Sequence, residues 1–281
     1  MNYYYLVAGL PDIEIEDNRL TFSIAAFKEE IQPFLSSKDA RLVELFYTKF
    51  DNENLLRFVV DKEATLDERG NLNREDLAEG LRLVIENDDP KNRYFPPYFK
   101  LFMEEYLDLH VLDDEITREN RLAELYYQWA MKCGNKFISR WFEFNLNLNN
   151  LLSAYASRKY HQEVTTVGDN EIAESLKTSN QRDFGLSGTV DDLDVYQRLA
   201  EESDLFEREK KIDLMRWQWL EEQAVFEQFS IERIFVYIVQ LEIIERWVSL
   251  DPEQGEKIFR ELINALKNSV VNQTSNIENK K

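Results

Sequence analysis

Apolar residues recur at helical spacing through most of this chain, most densely in FSIERIFVYIVQLEIIERW, Phe229 to Trp247. One seam is Ile231, Ile234, Ile238 and Leu241; the other is Val236, Val239, Ile243 and Trp247. Two residues advance a helix by roughly 200°, so the seams lie on nearly opposite sides. A helix that is apolar on two sides must be covered on two sides. The segment is therefore predicted to be a central packing helix.

The same periodicity places other helices. Phe137, Trp141, Phe144, Leu148, Leu151 and Tyr155 recur at helical spacing and outweigh the short alternation in WFEFNLNLNNLL, which predicts one long helix over 136–160. Further helices are predicted near 21–31, 38–49, 53–61, 74–87, 97–109, 117–133, 191–201, 203–227, 229–249 and 252–268. Asn73 followed by Asp76 marks a helix start with acidic residues in the first turn, and Thr117 with Asn120 a weaker one. Tyr3 to Ala8 fits either a short extended piece or a helix start. Between Pro97 and Pro252 there is no proline, and glycine is sparse, which favours helix. The fold class expected is all-α, a lobed multi-helix bundle with long antiparallel helices.

The main break in this pattern is 162–190, polar, poor in aromatics and rich in glycine. It reads as a mobile connection with a short helix at 170–177. It separates an N-terminal helical region, 1–161, from a C-terminal helical hairpin region, 191–271, with a polar, frayed tail at 272–281. In the 203–227 helix, Leu205, Ile212, Trp219 and Phe226 lie seven apart with Met215 between them. This coiled-coil-like seam is short, and an antiparallel pair inside one fold accounts for it. Trp217 sits about 200° from Trp219, so either one tryptophan faces a partner, with Trp217 the candidate contact, or both are buried.

Charge narrows the partners. Asp plus Glu number 54 against 34 Lys plus Arg, a net charge of -20. Such a field repels phosphate backbones and anionic lipid heads, so neither nucleic acid nor a bare membrane surface is an expected partner. Cys133 is the single cysteine, which excludes an intramolecular disulfide and fits a reducing compartment. The start shows no basic region ahead of its apolar run, as a secretory signal would. The richest apolar window, 231–250, holds Glu232, Arg233, Glu242, Glu245 and Arg246, so no membrane span is expected.

Motifs that suggest chemistry lack their companions. Asp183-Phe184-Gly185 spells a kinase metal-binding tripeptide, but no Gly-rich loop, strand lysine or catalytic loop precedes it. A calcium loop from Thr65 to Asp76 would put the cation Arg69 among the ligands. His110 and His161 have no second ligand at metal spacing, and neither has Glu three residues earlier, as di-iron bundles require. Acidic pairs such as Glu29-Glu30, Asp113-Asp114, Asp191-Asp192 and Glu201-Glu202 are accounted for by solvated faces and helix first turns. No catalytic residue, metal site, cofactor or small-molecule substrate is assigned.

Two segments carry a family resemblance. Phe229-Ser230-Ile231-Glu232, then Tyr237-Ile238, then Glu242, resembles the closing motif of the C-subunit family of bacterial and archaeal V-type (A/V-type) ATPases, whose eukaryotic relative is the d-subunit. Leu241, Ile244 and Trp247 depart from that motif. Asn147-Leu148-Asn149-Asn150-Leu151 with Arg158 is similar to the family's Asp-Leu-x-Asn-Leu helix and its following arginine, Asn147 replacing the aspartate and Ala156 a first arginine. The aromatic opening, Tyr3-Tyr4-Tyr5, fits the same family. The resemblance implies a helical, non-catalytic spacer linking the central stalk to the membrane rotor ring during ATP-driven ion transport or ATP synthesis. It implies a cytoplasmic place, peripheral to the inner membrane through the complex, with other V-type ATPase subunits as partners. The rival expectation is an unrelated soluble helical adaptor that binds a protein through an exposed apolar helix face, Trp217 or the 203–227 seam.

Overall fold

A computed structural model describes residues 3–15, 17, 22–88, 95–108, 112 and 114–250. Among these residues there is no strand, and eleven α-helices and one 3-10 turn form an all-α bundle. The predicted helix at 252–268, the tail and His110 lie outside the described residues. The helices are α1 (Tyr4–Ala8), α2 (Ile24–Ile31), α3 (Ser37–Val60), α4 (Arg74–Ile85), α5 (Pro97–Leu107), α6 (Glu115–Ala130), α7 (Lys136–Lys159), α8 (Glu171–Thr178), α9 (Leu193–Glu201), α10 (Leu205–Gln223) and α11 (Ile231–Ser249).

The two seams of α11 find the two-sided cover they need. Eleven of its residues are buried, and it packs against α2, α3, α7 and α10. Arg233 and Arg246 stay half-exposed at the edges of this packing. α10 returns antiparallel to α11, as the cross-links Glu221–Arg233 and Asp213–Arg246 require. The short heptad seam thus belongs to a helix pair inside one fold. Ile212 is buried, whereas Leu205 is exposed and Phe226 stands beyond the helix end.

Helix starts follow local chemistry. Asn73 and Asp76 form the reciprocal capping box their spacing predicted. α6 begins earlier than expected, because Asp114 accepts from the Thr117 amide and takes the N-cap. α1 resolves the open question at Tyr3 to Ala8 in favour of helix.

Two expectations need correction. The predicted break at 50–52 is absent, and α3 runs unbroken from Ser37 to Val60. Its polar run, Asp51 to Asn54, reads as a turn in sequence, but Asp51 and Asn54 are buried and their side chains bind the loop that follows α3. The second correction concerns 162–190. Instead of a polar connection between two bodies, it adds a core of its own: Leu176, Phe184 and Leu186 are buried against Leu151, Ala154 and Tyr155 of α7. The main core also crosses the expected boundary, joining Ile24, Phe46, Phe99 and Phe142 to Leu220 and the α11 residues.

Candidate functional site

One cluster of polar residues lies where α3, α7, α10 and α11 meet. Asp213 of α10, only 1% exposed, is the hub. It accepts from the guanidinium groups of Arg216, at 3.0 Å, and Arg246, and from Trp247 Nε1 at 2.9 Å. Arg216 also donates to Asn145 Oδ1 at 3.0 Å, and Arg246 pairs with Glu209. One turn earlier on α11, Glu242 takes Lys49 of α3 at 2.9 Å. Burial works to raise the Glu242 carboxyl's pKa, but the charge and hydrogen bond of Lys49, with Arg246 and Arg216 beyond it, hold it below its ordinary value. Asp213, Arg216, Arg246, Asn145, Lys49 and Glu242 line a cavity of about 210 Å³ with Phe46, Tyr126 and Trp141. Each cation in it already has an anionic partner. The chemistry of such a set is cross-linking: four helices are tied by charge-assisted bonds around a buried carboxylate.

The resemblance residues fall into three groups. Glu242 belongs to the Asp213 cluster. Asn147, Asn150 and Arg158 of α7 hold the 162–190 segment. The Asn150 amide exchanges two hydrogen bonds with the Val167 backbone, at 2.8 and 2.9 Å, and Asn147 accepts from Asn170, the N-cap of α8. Arg158 donates to the carbonyls of Ser179, Gln181 and Arg182 and lies 3.4 Å over the Phe184 ring. The third group opens α11. The Phe229 carbonyl accepts from Tyr3 N at 2.6 Å, Glu232 accepts from Asn135 at the α6–α7 turn, and Ile231 is buried. Tyr237 is buried among Phe22 and Phe27, and its hydroxyl has no hydrogen-bond partner. Burial, then Asp12 and Glu30, push that hydroxyl up to about 12.

Trp217, the candidate partner contact, is half-buried against the main core, as is Trp219, which stacks on Phe144. The tripeptide Asp183-Phe184-Gly185 has a packing role: Phe184 is buried, and Asp183 binds Ser187 and the Gly185 amide in a turn. In the Thr65–Asp76 stretch, Arg69 pairs with Asp67 and lies over Phe50. Cys133 is half-buried at a turn, 3.5 Å from Ser139 Oγ. Among the described residues, no group of His, Cys, Asp and Glu is disposed to hold a metal ion, and no helix is long and apolar enough to cross a membrane.

A second polar knot has no counterpart in the sequence reading. Asp51, fully buried on α3, accepts from the amides of Asn71 and Leu72 at 2.7 and 2.9 Å and from Asn71 Nδ2 at 2.8 Å. Gly70 leaves the room for this: a Cβ there would stand 2.5 Å from Asp51 Oδ1. Burial lifts the Asp51 carboxyl to about 6, offset in part by those donors and by Lys28. The one signal in the sequence is an acidic residue at a core register position of α3, which only the loop's geometry explains.

No curated protein and no solved structure matches the chain. A family model does match, over residues 1–270: DUF2764, described as a protein of unknown function, and the chain belongs to that family.

Proposed function

We propose that this chain is a non-catalytic coupling subunit of a V-type rotary ATPase, set between the central stalk and the membrane rotor ring. The observation that carries this reading is the placement of the motif-bearing helix. α11 holds Ile231, Glu232, Tyr237 and Glu242, and four helices pack around it. It is cross-tied at its start through Glu232 and towards its end through Glu242 and Arg246. A spacer that carries torque needs a body that does not shear, and close-packed helices with buried ionic ties supply one. The remaining resemblance residues, on α7, fasten the 162–190 segment to the same body. The acidic charge favours basic surfaces on stalk or ring as its counterparts. In this role the protein binds no nucleotide, performs no chemistry and reaches the cytoplasmic side of the membrane through its partners.

The test is a tagged pull-down from gently solubilised native membranes, with the eluate identified by mass spectrometry. Stalk and ring subunits in fixed proportion are the expected result. Soluble proteins alone, from a preparation in which the ATPase is intact, would overturn the proposal in favour of a helical adaptor.

A further inference from the structure

The two most exposed aromatic rings among the described residues stand at one end of the molecule. Phe226, in the α10–α11 turn, is 93% exposed, and Tyr5, on α1, is 91% exposed. Val225 and Tyr4 beside them are also exposed. They are brought to the same end by the Tyr3 N–Phe229 carbonyl bond and by the Tyr4 ring, 4.7 Å from that of Phe229. An isolated exposed apolar residue needs no explanation, but a set of four with two nearly bare aromatic rings does.

Charge selects the occupant. From Trp217 to Glu232 the chain carries Glu221, Glu222, Glu227 and Glu232 and no Lys or Arg. Residues 1–18 carry Asp12, Glu14, Glu16 and Asp17, again with no Lys or Arg. Arg233 is taken by Glu221. Lys38 and Arg41 lie beside Ser36 and Asp39, which bind the Tyr3 hydroxyl, and Lys132 and Lys136 lie beside Asn135, which binds Glu232; these four bases are fewer than the eight acids of the two acidic stretches. A second copy would set two such acidic ends against each other, and an anionic bilayer would be repelled in the same way. Leu250, the last described residue, stands at the far end of α11, about 28 Å away at 1.5 Å per residue over 19 residues.

We infer that Phe226 and Tyr5, with Val225 and Tyr4, form a docking knob for a protein whose apolar socket is rimmed by Lys and Arg. The rings supply the buried contact, and the glutamates around Phe226 set its orientation and refuse acidic competitors. Glu222, exposed in the last turn of α10, makes neither an ion pair nor a side-chain hydrogen bond among the described residues, whereas Glu227, next to Phe226, accepts from Ser230 Oγ. The inference holds whether or not the partner is an ATPase subunit.

The test places the photo-crosslinker benzoylphenylalanine at Phe226, at Tyr5 and, as a control, at Tyr160, in the full chain in its native cells. Tyr160 is also exposed, at 65%, but follows Arg158 and Lys159. All three rings lie outside the core, and an unchanged melting temperature verifies the fold. Expected are adducts from both Phe226 and Tyr5 to one protein, at apolar residues flanked by Lys or Arg, and none from Tyr160 to that protein. Glu222→Lys should cut the Phe226 adduct roughly tenfold. Adducts to lipid, to a second copy, to this chain's own residues 251–281 or to a site without basic neighbours would overturn the inference, as would no adduct at all. A stalk or ring subunit as the crosslinked protein would support the coupling role as well; a different protein with a basic-rimmed socket would leave the knob standing and count against that role.

Discussion

Removing the Asp213 carboxylate measures how much the ionic ties hold. In Asp213→Ala, Arg216 and Arg246 lose their shared anion and Trp247 Nε1 loses its acceptor. Breaking a fully buried pair by deleting one partner costs about 3–5 kcal/mol. Here the two arginine side chains keep 21% and 35% of their surface exposed, and Glu209 and Asn145 remain as partners. Solvent and these partners reduce the cost, so about 2–4 kcal/mol is expected. At roughly 2–4 °C per kcal/mol for a chain of this size, the melting temperature should fall by about 4–16 °C. A second variant separates the carboxylate's charge from the need for it. With Asp213→Leu, Arg216→Met and Arg246→Met combined, the one charge left without its partner is Glu209, which is exposed to solvent, and stability should return to within about 1 kcal/mol of wild type. Thermal unfolding followed by circular dichroism reads both. If Asp213→Ala melts within about 2 °C of wild type, or if the triple variant is less stable than the single one, the cluster does not tie the helices together.

Three further outcomes follow from buried polar groups. Asp51 has a folded-state pKa of about 6, above its ordinary value of 3.8. The folded state therefore keeps a proton that the unfolded chain releases, and the stability this gives is complete below about 3.8 and lost as pH rises to about 6. Asp51→Asn cannot titrate, so the variant should gain up to about 3 kcal/mol on wild type between pH 4 and pH 7 in paired denaturant melts. A difference that stays flat across this range would refute it. Tyr237→Phe removes a buried hydroxyl without a partner; stability should hold or rise by about 1 kcal/mol, and a fall of similar size in a urea titration would show that the hydroxyl is bonded after all. Asn150→Ala leaves the Val167 amide and carbonyl unpaired. It should cost about 1–3 kcal/mol and raise hydrogen exchange selectively over 162–190; uniform protection across that segment would count against its being fastened through Asn150.

The sequence displays its helices because apolar side chains must face neighbours at intervals of about 3.6 residues, and α7 and α11 both follow this spacing. It conceals the unity of α3 for an equally physical reason. Asp51-Asn52-Glu53-Asn54 has the composition of a turn, and composition does not say whether a buried acid has donors waiting for it. Two of the three donors are backbone amides, of residues 71 and 72, and backbone groups leave no mark in a sequence. The same blindness hides the order of 162–190. Asn150 pairs with the Val167 backbone and Arg158 with the carbonyls of Ser179, Gln181 and Arg182, while three apolar residues, Leu176, Phe184 and Leu186, seat the segment on α7.

The candidate site is legible in a different proportion. The resemblance singles out Glu242 and Arg158, yet what each does depends on residues far away in sequence: Lys49 for one, the carbonyls of Ser179, Gln181 and Arg182 for the other. Asp213 stays hidden because α10 carries many acids on its exposed faces, and nothing in its own neighbourhood separates it from Glu209 or Glu221. Only the return of α11 brings Arg246 and Trp247 to it. A carboxylate selected for catalysis keeps an open side towards a substrate; Asp213 has its oxygens taken by two guanidinium groups and an indole. Saturation of this kind holds α10 to α11 at one point through several bonds at once. The saturated cluster fits the coupling role proposed above, and the docking knob inferred at the α10–α11 turn is the surface through which that role would reach a partner.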